Sequence, residues 1–185
     1  MPIDVTPTAI SGALIIETPV FTDGRGQFLE SFNARAFAPL IGPGVSFVQD
    51  NRSTSRKNVL RGLHYQLAQT QGKLLQILRG SIFDVFVDLR QASPTFGRWV
   101  GLEFAGGDGK QLWLPPGLAH GFLTLSDEAE VLYKVTDYWH PPSEQTLRWD
   151  DAHLAIKWPL ARGAQPIVSA KDAAGQSWRD TPKFP

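Results

Sequence analysis

The chain has no cysteine and a single methionine. Missing thiols exclude disulfides, zinc ribbons and cysteine nucleophiles. A charge surplus is also missing: 18 Lys and Arg face 18 Asp and Glu, for a formal net charge of zero. Nucleic-acid binding through bulk charge needs a basic excess to displace counterions, and an anionic membrane surface needs one too. Neither partner is expected. Charge balance leaves open a local cluster of Arg and Lys around one small phosphorylated ligand. Apolar runs are short, none approaching the roughly 20 residues of a membrane span. Met1-Pro2-Ile3-Asp4-Val5 has neither a basic nor an apolar signal region, so the expectation is a cytoplasmic protein.

Helical periodicity is equally scarce. Asn33–Leu40 reads as one short helix behind an Asn cap, and Asp150–Ile156 as another turn or two. The 17 Gly and 14 Pro are spread between short runs of Val, Ile, Leu and Phe, the punctuation of a β protein. Ile82–Leu89 alternates, with Phe83, Val85, Val87 and Leu89 on one face and Asp84 and Asp88 on the other. Val131–Trp139 reads as a strand whose one face carries Val131, Tyr133, Val135, Asp137 and Trp139. Further strands are expected at Ala13–Glu17, Gly26–Phe32, Ser46–Asn51, Val59–Gln66, Lys73–Arg79, Trp99–Phe104, Lys110–Leu114 and His120–Leu125, with a short edge at Leu147–Trp149. The pattern predicts an all-β sandwich or barrel. At 185 residues it is expected as one domain, with an irregular tail from about residue 160 that must pack on the body or a partner chain.

Four histidines are the natural proton carriers. His64 lies in Arg61-Gly62-Leu63-His64-Tyr65-Gln66, beside Gly and Gln on an apolar strand, which suits a cavity lining or a satisfied structural histidine. His140 and His153 read as structural residues of a loop and a turn. Pro115-x-Gly117-x-x-His120 resembles the second motif of the cupin superfamily, which implies a jelly-roll β-barrel. The first cupin motif supplies His-x-His as metal ligands; here it reads His64-Tyr65-Gln66. Two histidines without a third ligand argue against a catalytic metal.

Eight blocks in order carry a closer resemblance. They include Phe21-Thr22-Asp23-Gly24-Arg25-Gly26-Gln27-Phe28-Leu29-Glu30-Ser31-Phe32, Gln49-Asp50-Asn51-x-Ser53-x-Ser55, Val59–Gln66, Gln71-Gly72-Lys73-Leu74, Ser93-Pro94-Thr95-Phe96-Gly97, His120-Gly121-Phe122 and Tyr133-Lys134-x-Thr136-Asp137-Tyr138-Trp139. In these the chain resembles the dTDP-4-dehydrorhamnose 3,5-epimerases. The resemblance implies a homodimeric enzyme without metal or cofactor that inverts C3 and C5 of dTDP-4-dehydro-6-deoxy-D-glucose. A mono-epimerase acting at C3 or C5 alone, or a non-catalytic sugar-nucleotide binding module, is the alternative.

Both carbons are α to the C4 ketone, so the reaction needs a base, a partner for the enolate oxygen and an acid on the opposite face. The resemblance assigns His64 as base, Asp172 as its carboxylate partner, Lys73 to the enolate oxygen and Tyr133 as proton donor. Without it, Asp172 reads as a solvated charge in the tail, and Lys73 as a strand-edge lysine. Substrate contacts are implied for Arg25, Glu30, Gln49, Asn51, Arg61, His120, Glu144 and Lys171, with Arg25 and Arg61 suited to a diphosphate and Trp139 to stacking on the base. Simple alternation puts Arg61 and His64 on opposite faces, so either a bulge between them or a site reached around the strand edge is required.

Overall fold

The computed structural model describes residues 3–185. The strands are β1 (Asp4–Pro7), β2 (Leu14–Glu17), β3 (Phe21–Asp23), β4 (Gly26–Phe28), β5 (Gln49–Arg56), β6 (Leu60–Gln66), β7 (Lys73–Arg79), β8 (Ser81–Asp88), β9 (Trp99–Ala105), β10 (Lys110–Leu114), β11 (Leu118–Thr124), β12 (Glu128–Val135) and β13 (Glu144–Thr146). Two short helices join them, α1 (Ala34–Ile41) and α2 (Ala170–Ala173). The strands form a six-stranded sheet in the order β1-β2-β10-β7-β12-β5, a five-stranded sheet in the order β13-β6-β11-β8-β9, and the separate β3-β4 hairpin. All named pairs are antiparallel. This is the cupin-type jelly roll. No helix among the described residues is long and apolar enough to cross a membrane.

Two sheets produce three apolar layers. Between them, Leu75, Ile77, Leu112, Leu114 and Val131 meet Ile82, Phe86, Phe104, Leu118 and Phe122. The outer face of the six-stranded sheet, with Leu74 and Trp113, is covered by Phe37 of α1 and its neighbours Phe32 and Phe47. Asn33 starts that helix by accepting from the amides of Arg35 and Ala36, the N-cap its side chain favours. The outer face of the five-stranded sheet, with Tyr65, Val85, Val87 and Leu89, is covered by Leu154, Trp158, Trp178 and Phe184. Phe83, Val85, Val87 and Leu89 therefore do share a face, and the tail buries it. The opposite face, with Asp84 and Asp88, turns into the sandwich, where both carboxylates are buried.

Several boundaries differ from the sequence reading. The strand expected at Ser46–Asn51 runs Gln49–Arg56, and the one expected at Gly26–Phe32 closes at Phe28. The edge expected at Leu147–Trp149 forms earlier, as β13, and Leu147 beyond it exchanges two backbone hydrogen bonds with Leu63 and bridges to Gln176. Asp150–Ile156 makes turns but no helix: the Asp151 carboxylate takes the amides of His153 and Leu154, so a side chain does what a second helical turn would do. β12 stops at Val135 rather than Trp139. The tail is less irregular than expected: it bridges to the body at Val59–Ile167, Leu147–Gln176 and Arg90–Phe184, and it contains α2.

Candidate active site

A pocket of about 370 Å³ opens between the two sheets at one end of the sandwich. The inward residues of four strands meet there. β12 sends in Tyr133, continuing the face of Ala129 and Val131. β7 begins with Lys73, one step before Leu75 on the same inner face. β6 and β11 contribute His64 and His120, which stand directly opposite each other in the ladder.

Of the two routes that could bring Arg61 and His64 to one site, the structure takes the bulge. His120 pairs with His64, yet Phe122 pairs with Arg61, so β6 spends one residue more than β11 over this step. Gly62 sits at that step with φ 121° and an added Cβ would lie 2.6 Å from Gly121 Cα. Only glycine tolerates both the dihedral and the approach. The extra residue resets the alternation, and Arg61 and His64 line the same pocket.

His64 Nε2 lies 2.6 Å from Asp172 Oδ1. Asp172 is 4% exposed, and its other carboxylate oxygen accepts from the Gly62 amide at 3.3 Å. Burial by itself would raise its pKa; the hydrogen bond and charge of His64, helped by the Gly62 amide and Ser169, outweigh it and hold the group below the usual carboxylate range. An ionised Asp172 only accepts, so Nε2 carries the proton and Nδ1 keeps its lone pair for the pocket. Ser169 places the carboxylate by capping α2, its hydroxyl accepting from the Asp172 amide at 3.1 Å.

Lys73 is 8% exposed, and its ammonium donates one long bond, 3.4 Å, to the His64 carbonyl. Burial drives its pKa down to about 8, against the pull of the Asp84 and Glu144 carboxylates. Burial pushes the Tyr133 phenol up, eased by Arg61 and reinforced by Glu144. Glu144 pairs with Lys171 at 2.6 Å; burial would raise its pKa, but the bond and charge of Lys171 keep it low. His120 Nε2 lies 2.8 Å from Asp84 Oδ2. Asp84 was not among the expected site residues. Its signal was available, a carboxylate on the alternate face of an otherwise apolar strand, but alternation cannot tell which face turns inward.

Of the residues expected at the site, Gln49, Asn51, Arg61, His64, Lys73, His120, Tyr133, Trp139 and Glu144 line the pocket. Asp172 backs His64, and Lys171 reaches the pocket through Glu144. Trp139 arrives by a route other than the expected strand: beyond Val135 the chain leaves the ladder, and the indole reaches the rim from a loop. Arg25 and Glu30 are not brought in. Arg25 extends into solvent from the β3-β4 hairpin and pairs with Asp23 at 2.6 Å, while Glu30 accepts from Asn33. Among the described residues, no three His, Asp or Glu side chains converge as a metal ion would require.

A jelly roll with a histidine–carboxylate dyad, a buried lysine and a tyrosine around one polar pocket defines a cupin-fold enzyme of acid–base chemistry. The dTDP-4-dehydrorhamnose 3,5-epimerase family model matches residues 7–180. The chain is 50% identical over 180 residues to the dTDP-4-dehydrorhamnose 3,5-epimerase of Pseudomonas aeruginosa, covering 97% of this chain and 98% of that one. It is 53% identical over 171 residues to that of Salmonella typhimurium, covering 92% of each. Among solved structures, the dTDP-6-deoxy-D-glucose-3,5-epimerase of Legionella pneumophila in complex with dTDP-4-keto-L-rhamnose superposes with a TM-score of 0.92, at 49% identity over 97% of this chain and 94% of that one. The chain belongs to the dTDP-4-dehydrorhamnose 3,5-epimerase family.

Proposed function

We propose that the protein inverts C3 and C5 of dTDP-4-dehydro-6-deoxy-D-glucose, giving dTDP-4-dehydro-L-rhamnose. The observation that carries this reading is the placement of the base and the acid on opposite sheets. His64, backed by Asp172 at 2.6 Å, belongs to the five-stranded sheet, and Tyr133 to the six-stranded one. A sugar ring held between the sheets meets a base on one side and a phenol on the other, the geometry inversion demands.

His64 Nδ1 takes the proton from C3 or C5, and the electron pair of that C–H bond moves into an enolate with its charge on O4. The imidazolium so formed is stabilised by Asp172. The Lys73 ammonium faces the enolate oxygen and lowers the cost of the anion. Tyr133 returns a proton to the opposite face of the carbon and recovers its own from solvent, to which the His64 imidazolium gives up the proton it took. Arg61, held by Ser55 at 2.9 Å, suits the diphosphate, and Trp139 the base. Gln49, Asn51, His120, Glu144 and Lys171 complete the contacts. Every step uses side chains alone, so neither metal nor cofactor enters the proposal.

The protein is further proposed to act in the cytoplasm as a homodimer. Phe21 and Phe28 on the β3-β4 hairpin are 47% and 67% exposed, an apolar surface that a second copy would cover. That copy would also give Arg25 and Glu30 a site to serve, since they stand outside the pocket of their own chain.

Incubation with dTDP-4-dehydro-6-deoxy-D-glucose in D2O, read by NMR, tests the reaction. Deuterium at both C3 and C5 with inversion at each is expected. Label and inversion at one carbon alone would make the protein a mono-epimerase, and none would make it a binding module. His64→Asn should abolish exchange at both carbons. Tyr133→Phe should keep exchange while inversion at C5 falls sharply; equal loss of both would remove Tyr133 as the acid.

A further inference from the structure

The loop that carries Trp139 has no ladder of its own. Its backbone is bonded instead to glutamine side chains, one residue after another. Gln71 Nε2 donates to the Asp137 carbonyl at 2.9 Å. Gln66 Nε2 donates to the Tyr138 carbonyl at 3.2 Å. The Trp139 amide donates to Gln49 Oε1 at 3.1 Å, and the His140 amide to Gln66 Oε1 at 2.9 Å. Gln66 also donates to the Gln69 carbonyl at 2.8 Å. It is 4% exposed and stands at the position where a metal-binding cupin carries its second histidine.

The chemistry of the residue fits the task. Tyr138 offers an acceptor and His140 a donor, so the side chain between them must supply one of each from a single head. A primary amide does so; a carboxylate only accepts, and a thioether does neither usefully. The indole gains little from packing, since Trp139 is 59% exposed. Apart from the Glu144 carboxylate, which draws the Trp139 side chain toward it, its orientation depends on the backbone beneath it. An unheld loop would have to be ordered when nucleotide binds, and that entropy would subtract from stacking.

We propose that Gln66 is a positioning residue for the nucleotide: it fixes the 137–140 backbone, with Gln71 and Gln49, so that Trp139 stands ready as the stacking face. The inference rests on the reading of Trp139 as the residue that stacks on the base. It gives the vacated metal-ligand position of the fold a new use.

Gln66→Met keeps the length of the side chain and removes both hydrogen-bonding groups. In the ligand-free variant, amide exchange across residues 137–140 should accelerate. Calorimetric affinity for dTDP should fall about two- to tenfold, the worth of one ordinary hydrogen bond, with KM for the sugar nucleotide rising more than kcat falls. In a Trp139→Ala background the same substitution should cost no further affinity, because the ring it positions is gone. Unchanged exchange, unchanged affinity in the parent, or an equal cost in both backgrounds would overturn the proposal. Unchanged dTDP affinity in Trp139→Ala alone would overturn the stacking reading, and the positioning role with it, even where exchange shows the loop held by Gln66. Should Gln66→Met fail to fold, Gln71→Ala removes a single bond from a half-buried side chain and is put through the same measurements.

Discussion

At the scale of single residues, Lys73 sets a condition on when the site works. Burial drives its pKa to about 8, while Asp84 and Glu144 resist. The charged form lies below that value, so an ammonium faces the pocket at neutral pH and an amine replaces it as pH rises. If the charge stabilises the enolate, kcat/KM should fall as pH passes upward through about 8. The Tyr133 phenol cannot supply this limb, since burial pushes it above its ordinary value of about 10. Lys73→Arg keeps a cation throughout this range. Its kcat/KM is expected to be lower at neutral pH, for want of a compact ammonium, but flat where the parent declines. A decline that persists unchanged in Lys73→Arg would assign the limb to another group. Glu144 sits where it can influence Lys73, Tyr133 and Lys171 together, so a carboxylate expected only to touch substrate also sets the electrostatics of its neighbours.

At the scale of elements, the β6–β11 step decides whether the residues become a site. Gly121 packs against Gly62 across it, and a Cβ on Gly121 would lie 3.0 Å from both Gly62 Cα and Leu63 Cδ2 and run into the Arg61 carbonyl. Gly121 has no left-handed dihedral to relieve, so entropy alone would favour Gly121→Ala by about 0.4–1 kcal/mol. The clash reverses that sign. Overpacking costs about 1–3 kcal/mol, and the urea midpoint should fall at unchanged slope, with activity lost because Arg61 and His64 flank the step. A raised midpoint would show that the bulge has room. This element also marks the border of what the sequence could reveal. Alternation located β7 and β10 to the residue and identified the α1 cap, because these depend on near neighbours. It required a bulge or a site reached around the strand edge, without deciding between them. It extended β12 to Trp139, because the glutamines that replace the ladder lie at positions 49, 66 and 71, far from the loop in sequence. Asp172 was legible only through family resemblance: nothing local distinguishes a tail aspartate that folds back onto β6 from one in water.

At the scale of the whole molecule, the hairpin and the pocket are the parts that the proposed homodimer would join. Among the described residues Arg25 is paired only with Asp23 on its own hairpin, and it is almost wholly in solvent, yet the family resemblance puts it at the substrate. A second copy resolves the conflict if each hairpin reaches the neighbour's pocket, with Phe21 and Phe28 buried on the way. A twofold arrangement would do this reciprocally, making two equal sites per dimer. Sedimentation should then give a dimer, and Phe28→Asp should shift it towards monomer with loss of activity. The sharper test is complementation. Arg25→Ala and His64→Asn should each be nearly inactive alone. In a mixed dimer, one pocket has the intact His64 of the first chain and the intact Arg25 of the second, while the other pocket lacks both. After subunit exchange at equal concentrations, about half the dimers are mixed and half their sites intact, so activity should recover to about a quarter of the parent's under twofold symmetry. If each chain used its own Arg25, every site would carry one defect whatever its partner, and mixing would restore nothing.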